Sequence, residues 1–316
     1  MDQSLPRLQL FVSALSGRGR ALRVAPQAAA LLRESGWDVE VVVTHRQDDP
    51  ALLAASSPYH WVAALGGDGY IARIASEVGK RGGIVIPLPG GRGNDLCRCL
   101  GIGTDALVHI RTLPQACRIV SSEEETHARF RDVDAMSVSP LADSHGQDVT
   151  RAGQSQVLGL VSFGLDAVAN EIANESPFSS GTVAYAWGAV RALTKFKPRT
   201  MELEVDGEYR RTRGWLVSIS NSGWFGGGIN IVPSSNPSDG KLELLTVDPV
   251  PRTQAIRVLA RVLTTRRVDD PILHVETVSH VKVLNSAGLV AMGDGDRVAR
   301  GPVEVSVAPA VFRVFA

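Results

Sequence analysis

The chain has 316 residues, 44% hydrophobic and 21% charged, with 33 Lys+Arg set against 33 Asp+Glu. That profile suits one large globular domain or two of ordinary size and excludes disordered and collagen-like chains. A net charge of zero gives no electrostatic basis for coating nucleic acid, so any phosphate recognition has to come from local geometry.

The first third alternates short apolar runs with helical stretches. Leu8 to Val12 reads as a strand and is followed by Ser16-Gly17-Arg18-Gly19 and an Ala/Leu-rich helix to about Glu34. Val39 to Val43 is a second strand, then Asp48 to Ala55 a short helix. Trp61 to Leu65 is a third strand, closed by Gly66-Gly67-Asp68-Gly69 and followed by a helix over Ile71 to Val78. Ile84 to Ile86 is a fourth, closed by Pro87 and Pro89. Apolar strands without alternation, separated by helices, predict a parallel α/β sheet.

After about Glu125 the pattern becomes mostly strands: Arg129 to Val138, Gln156 to Phe163, Met201 to Val205, Gly214 to Ser220, Lys241 to Thr246, His280 to Leu284, Leu289 to Met292 and Val303 to Val307. Asp-Gly turns at 206–207, 239–240 and 294–295 punctuate them, as in an antiparallel sandwich. Helices are expected near Thr182–Thr194 and Arg252–Thr264, and the polar stretch Ser139 to Ser155 reads as an exposed loop.

Three glycine-containing loops leave neighbouring strands in this reading. Gly66-Gly67-Asp68-Gly69 and Gly90-Gly91-Arg92-Gly93-Asn94-Asp95 each pass from a strand into a helix, and Ser13 to Gly19 does the same after the first strand. Glycine lets backbone approach an anion and turn N–H groups toward it. Loops at the carboxyl ends of adjacent parallel strands converge on one crevice. Arg92 can fork to a phosphate. Asp68, the one charged group in its turn, can hold a metal or orient a nucleotide. None of the loops has Walker A spacing. Three cysteines (Cys97, Cys99, Cys117) without framework spacing fit a reducing compartment. Met1 to Ser4 does not open a secretory leader, and no apolar run approaches the roughly 20 residues of a membrane span.

Taken in order, Ser16-Gly17, Gly66-Gly67-Asp68-Gly69, Gly91-Arg92-Gly93-Asn94-Asp95, Gly164-Leu165-Asp166-Ala167, Asn221 with Gly226-Gly227-Gly228, Asp239-Gly240 and Asp294-Gly295-Asp296 resemble the diacylglycerol kinase catalytic-domain family, which includes soluble bacterial and sphingosine-kinase-like lipid kinases. The resemblance implies an α/β nucleotide-binding domain with a parallel sheet (residues 1–125, the chain returning at 310–316) and a mainly antiparallel β-sandwich lipid-substrate domain (126–309), the two-domain fold shared with NAD kinases, with ATP in the cleft between the domains. It implies ATP and Mg²⁺ as cofactors and a lipid hydroxyl as acceptor of the γ-phosphoryl group. Ser16, Gly17, Arg18, Thr44, Gly66, Gly67, Asp68, Gly69, Gly91, Arg92, Gly93, Asn94, Asp95 and Asp296 fall on nucleotide or Mg²⁺ positions, and Asp294 on the catalytic base. Asp68 is a candidate Mg²⁺ ligand. Asp239, with backbone carbonyls near Asn236 and Lys241, falls on a structural metal site.

The chain departs from the family pattern at Ser13-Ala14 (usually Asn-Pro), Tyr70 (Thr), Ala72-Arg73 (Asn-Glu), Arg92 (Thr) and Gly159 (Asn). Val183 to Val190 and the pair Trp224-Phe225 are candidate walls for the lipid. The expected partners are a lipid substrate and, transiently, the membrane surface, with a homodimer left open and nucleic acid excluded; the expected location is cytoplasmic and peripheral to the membrane. An NAD-kinase-like enzyme and a catalytically silent ATP- or lipid-binding regulator are the competing readings.

Overall fold

A computed structural model describes residues 5–121, 127–141, 155–178, 181–265 and 270–316. In chain order the first elements are β1 (Arg7–Ser13), α1 (Arg20–Glu34), β2 (Asp38–Thr44), α2 (Pro50–Ala55), β3 (Trp61–Gly66), α3 (Asp68–Lys80), β4 (Ile84–Pro89), α4 (Asp95–Cys99), α5 (Ala106–Thr112) and α6 (Ala116–Ser121). By internal contacts the chain divides into two units, Met1–Val133 with Ala310–Ala316, and Asp134–Pro309.

In the first unit β1 runs parallel to both β2 and β3, and β3 parallel to β4. β3 and β4 are buried along their whole length, and β1 except at Arg7, as expected of strands covered on both faces. α1 packs with α5, and α2 with α3. The chain moves from β1 outward to β2, then returns to the other side of β1 as β3. The order therefore reverses between β1 and β3, which is where open α/β sheets bind ligands.

β4 runs three residues further than expected, through both prolines. The N–H groups of Ile84 and Gly90 bond to His60 and Gly66 on the β3 side. By the two-residue alternation of a strand, positions 87 and 89 face the other way. There the C-terminal segment pairs only at Arg313↔Ile84 and Val314↔Val85. A missing N–H costs little where the neighbouring strand has ended.

α5, which the sequence reading did not assign, starts at an Asp105 cap that accepts the N–H groups of Leu107 and Val108. It buries His109, whose Nε2 has no hydrogen-bond partner among the described residues. Burial, helped by the Arg129 charge, pushes the His109 pKa from 6.5 down to about 4. The unfolded chain therefore takes up this proton more readily than the folded one. The stability contribution is intact above the unfolded value and is lost as pH falls through about 6.5 toward 4. The loss should be on the order of 3 kcal/mol, read as a fall in urea midpoint that His109→Leu removes. An equal slope in that variant would assign the acid sensitivity elsewhere.

The second unit continues β5 (Phe130–Pro140) and contains β6 (Ser155–Val157), β7 (Leu160–Gly164), α7 (Leu165–Asn174), α8 (Gly181–Lys195), β8 (Arg199–Val205), β9 (Glu208–Gly214), β10 (Leu216–Ser220), β11 (Trp224–Phe225), β12 (Ile229–Asn230), β13 (Leu242–Val247), α9 (Arg252–Thr265), β14 (Leu273–Val278), β15 (His280–Asn285), β16 (Val290–Gly293), β17 (Asp296–Arg300) and most of β18 (Val303–Phe315). One antiparallel sheet has the order β14-β13-β10-β7-β16-β17, and β9-β8-β15-β18 forms another. Phe163, Val217, Ile219 and Leu244 from the first meet Met201, Leu203, Val281 and Val305 from the second in one buried core. This is the antiparallel β-sandwich expected from the strand pattern.

Two expectations change. Gln156 to Phe163 is not one strand: β6 pairs with β5, β7 pairs with β10 and β16, and the chain bends between them at Leu158-Gly159. Residues 142–154 of the expected Ser139–Ser155 loop lie outside the described residues.

Candidate active site

In the first unit the three glycine loops touch one another. The Ser16 hydroxyl donates to Ser13 Oγ at 2.8 Å and accepts the Gly67 N–H at 3.1 Å, tying the loop after β1 to the loop after β3. Ser13, which stands where an Asn is usual, thus anchors this junction. The loops after β3 and β4 meet through their backbones: a Cβ on Gly91 would lie 2.5 Å from the Gly67 Cα, too close for any side chain. Glycine is required here by close approach. Arg18 and Arg92 are exposed on two of these loops. Gly17 sits in the turn after β1, Gly69 in the first turn of α3, and Gly93 precedes the cap of α4.

Several predicted contacts are engaged inside this scaffold. Asn94, buried and left-handed at φ 58°, closes its own loop: its Oδ1 accepts the Gly91 N–H at 2.8 Å and its Nδ2 donates to the Gly91 carbonyl at 3.2 Å. Asp95 opens α4, with Arg98 Nε 3.9 Å from its carboxylate. Thr44 is buried, and its hydroxyl lies 2.9 Å from the Tyr70 phenol oxygen. The Tyr70 ring packs against Gly66, and burial raises its pKa to about 12. Thr44 is thus met by Tyr70 from within the protein.

Asp68 is a lock between two loops. Its Oδ1 accepts the Leu96 N–H at 2.9 Å, at the start of α4. Burial pushes its carboxyl pKa up, and N–H groups of Leu96, Asp95 and Asn94 pull against that rise. Those N–H donors favour the anionic form, which is also the form a metal ligand takes, so the lock and the expected Mg²⁺ role draw on the same carboxylate.

In the second unit Asp294 and Gly295 form the β16–β17 hairpin turn, both at positive φ (49° and 94°). The turn geometry coexists with a second role. The two Asp294 carboxylate oxygens accept the N–H groups of Gly159 and Leu158, each at 2.8 Å. A Cβ on Gly159 would come within 2.5 Å of Asp294 Oδ1. Gly159 therefore permits the clamp that orients the acid. Asn221, fully buried, fixes the same bend by donating from Nδ2 to the Leu158 and Asp134 carbonyls. Asn174 donates to the Gly295 carbonyl at 2.6 Å, and Asp296 is exposed at the start of β17. If Asp294 is the base that the family resemblance implies, Gly159→Ala should displace its carboxylate and lower turnover roughly tenfold with nucleotide affinity unchanged. A turnover equal to wild type would mean the clamp does not position a reacting group.

The expected structural metal site is a turn. Asp239 Oδ1 accepts the Lys241 N–H at 3.0 Å, Asn236 Oδ1 the Ser238 N–H at 3.2 Å, and an Asp134 oxygen the Gly240 N–H at 2.7 Å. These side-chain oxygens close turns, and Asp239 is exposed. Among the described residues no group of three or more His, Cys, Asp or Glu could hold a metal ion. A site of one carboxylate and backbone carbonyls, as expected here, needs no such group.

The second unit also contains a small apolar cavity of about 70 Å³. Tyr185 and Ala189 of α8, Phe225 of β11, and Val258, Leu259 and Val262 of α9 are among its walls, and Asp166 is its acid. The Tyr185 hydroxyl donates to Asp166 Oδ1 at 2.7 Å, and burial raises the pKa of both groups. Of the lipid-wall candidates, Tyr185, Ala189 and Phe225 line this cavity. Val183, Trp187 and Val190 point outward and are 48%, 42% and 55% exposed.

Ser13, Tyr70, Leu158 and Gly159 were not among the predicted site residues. Ser13, Tyr70 and Gly159 were visible as departures from a family pattern, but Leu158 contributes only backbone and leaves no signal in its identity.

The family described as the diacylglycerol kinase catalytic domain matches residues 7–129, and the family described as the YegS C-terminal NAD kinase beta sandwich-like domain matches residues 159–316. The chain is 26% identical over 316 residues to a diacylglycerol kinase of Mycobacterium tuberculosis (strain CDC 1551 / Oshkosh), covering 98% of this chain and 94% of that protein. It is 25% identical over 239 residues to a Klebsiella pneumoniae (strain 342) protein named "Probable lipid kinase YegS-like", covering 73% and 71%. A crystal structure of a diacylglycerol kinase from Bacillus anthracis str. Sterne shares the fold with a TM-score of 0.66 at 14% identity, covering 99% of this chain and 98% of that one.

Proposed function

This chain belongs to the family of kinases that join a diacylglycerol kinase catalytic domain to a YegS-type C-terminal domain, and from that premise we propose that it transfers the γ-phosphoryl group of ATP to a lipid hydroxyl. The observation that carries the proposal is the mutual contact of three glycine loops at the carboxyl ends of β1, β3 and β4, beside the point where strand order reverses. Backbone N–H groups and exposed guanidinium groups at such a point suit a polyphosphate.

In this reading the loops of the first unit hold ATP, with Arg18 and Arg92 supplying positive charge to its phosphates. Mg²⁺ enters as the MgATP complex; it neutralises phosphate charge, and the residues lining the loops hold the nucleotide itself. The lipid oxygen attacks the γ-phosphorus as the bond to the β-phosphate oxygen of ADP breaks. Asp294 accepts the hydroxyl proton, held in orientation by the Leu158 and Gly159 N–H groups. The apolar lining of the second unit's cavity suits hydrocarbon, which supports a lipid acceptor over a soluble one. Among the described residues no helix is long and apolar enough to cross a membrane.

The test is transfer from γ-³²P-labelled ATP to a total lipid extract in the presence of NAD. Label in an organic-phase product, identified by mass, supports the proposal. Label on NAD would establish the NAD-kinase-like alternative, and nucleotide binding without transfer to either would establish a silent regulator.

A further inference from the structure

We propose that the outward face of α8 is the surface by which this protein sits on an anionic phospholipid bilayer; the biological purpose of that contact rests on the lipid-kinase reading. Helix α8 has two apolar faces. The inner one carries Tyr185 and Ala189 into the cavity wall. The outer one carries Val183, Trp187 and Val190 at i, i+4 and i+7, about half exposed, where a water-facing helix would carry polar residues. Phe178, also exposed, packs edge-on against Trp187 with ring centroids 6.0 Å apart. The Arg191 guanidinium lies 5.1 Å from the centroid of the Trp187 ring. Large amphipathic rings with a cation beside them suit the boundary between headgroups and acyl chains.

Charge selects the occupant. The chain as a whole is neutral, yet α8 and α9, which pack together beside the cavity, contain no Asp or Glu. They carry Arg191, Lys195, Arg252, Arg257 and Arg261, and Lys197 and Arg199 follow α8. Arg261 pairs with Asp270 at 3.1 Å and Arg252 donates to the Phe196 carbonyl. Of the carboxylates on the neighbouring α7 and just after it, Glu171 pairs with Arg297 and Glu175 is exposed. A two-fold contact with a second copy of this chain would set Arg191 and Lys195 against the same residues, which like-charge repulsion opposes. An anionic bilayer meets the cations and the aromatic face together.

Co-sedimentation with vesicles of phosphatidylcholine alone, or mixed with phosphatidylglycerol, tests this. The wild-type chain should bind the mixed vesicles at least about tenfold more tightly and release with salt. The double variant Trp187→Gln with Val190→Gln should bind about tenfold more weakly. Arg191→Glu with Lys195→Glu should lose the preference for anionic vesicles. All four positions are exposed, so circular dichroism and melting temperature should match wild type. Turnover of a water-soluble short-chain diacylglycerol should be unchanged in both variants. Equal binding by wild type and variants, or equal binding to neutral and anionic vesicles, would overturn the proposal. So would a wild-type dimer that the Trp187 variant makes monomeric. A wild-type chain that phosphorylates no lipid yet binds vesicles as stated would remove the kinase reading and leave this surface standing.

Discussion

Asp294→Asn should lower turnover by roughly 10²- to 10⁴-fold, the range typical of losing a general base, with nucleotide affinity changed little. The two carboxylate oxygens each accept one backbone N–H, which fixes the orientation of the acid. The amide has one acceptor oxygen only. Its NH₂ would face the N–H of Leu158 or Gly159 with no acceptor between, so a stability loss of about 1–3 kcal/mol accompanies the chemical defect. Turnover is therefore to be measured per folded molecule, with ATP binding by calorimetry as the control. Turnover within about threefold of wild type, with ATP bound normally, would take the base role from Asp294.

Asp68→Ala should lower kcat/KM by about 10³-fold, through the loops. The Asp68 carboxylate is the acceptor for N–H groups at the start of α4. Removing it leaves several donors unpaired in a half-buried turn, at about 1–3 kcal/mol each, and uncouples the loop after β3 from the loop after β4. Their backbones approach closely at Gly67 and Gly91, so a shift in one loop is felt by the other. Asp68→Asn keeps a carbonyl oxygen toward Leu96 and should cost only about tenfold. A metal ligand predicts a different pattern: Asn would be nearly as damaging as Ala, and raising Mg²⁺ would restore activity. The ratio of the two variants across a Mg²⁺ titration decides between them.

Strand-end glycines made the converging loops legible, because only glycine allows backbones to approach as Gly67 and Gly91 do. Which polar groups in those loops face outward was not legible. Asp68, Asn94 and Thr44 look alike in sequence as candidate ligands, and each turns out to bond within the protein. An N–H donor supplied from another loop has no signature in a one-dimensional pattern. Leu158 and Gly159 escaped for the same reason: their contribution is two N–H groups at a bend that interrupts an otherwise continuous apolar run. Helix α8 shows the limit of periodicity. It is apolar on two faces, and its sequence does not say which face meets the cavity and which meets water.

The sequence by itself determined the two-part architecture and the positions of the phosphate-type loops. Buried parallel strands must be apolar throughout, sandwich strands are cut by Asp-Gly turns, and a backbone that must approach another backbone must be glycine. Tertiary structure alone decided which acids are available for chemistry and which serve as locks. A carboxylate's role depends on the donors brought around it from distant segments, and residues as far apart in the chain as Asp68 and Leu96, or Gly159 and Asp294, meet only when the fold closes.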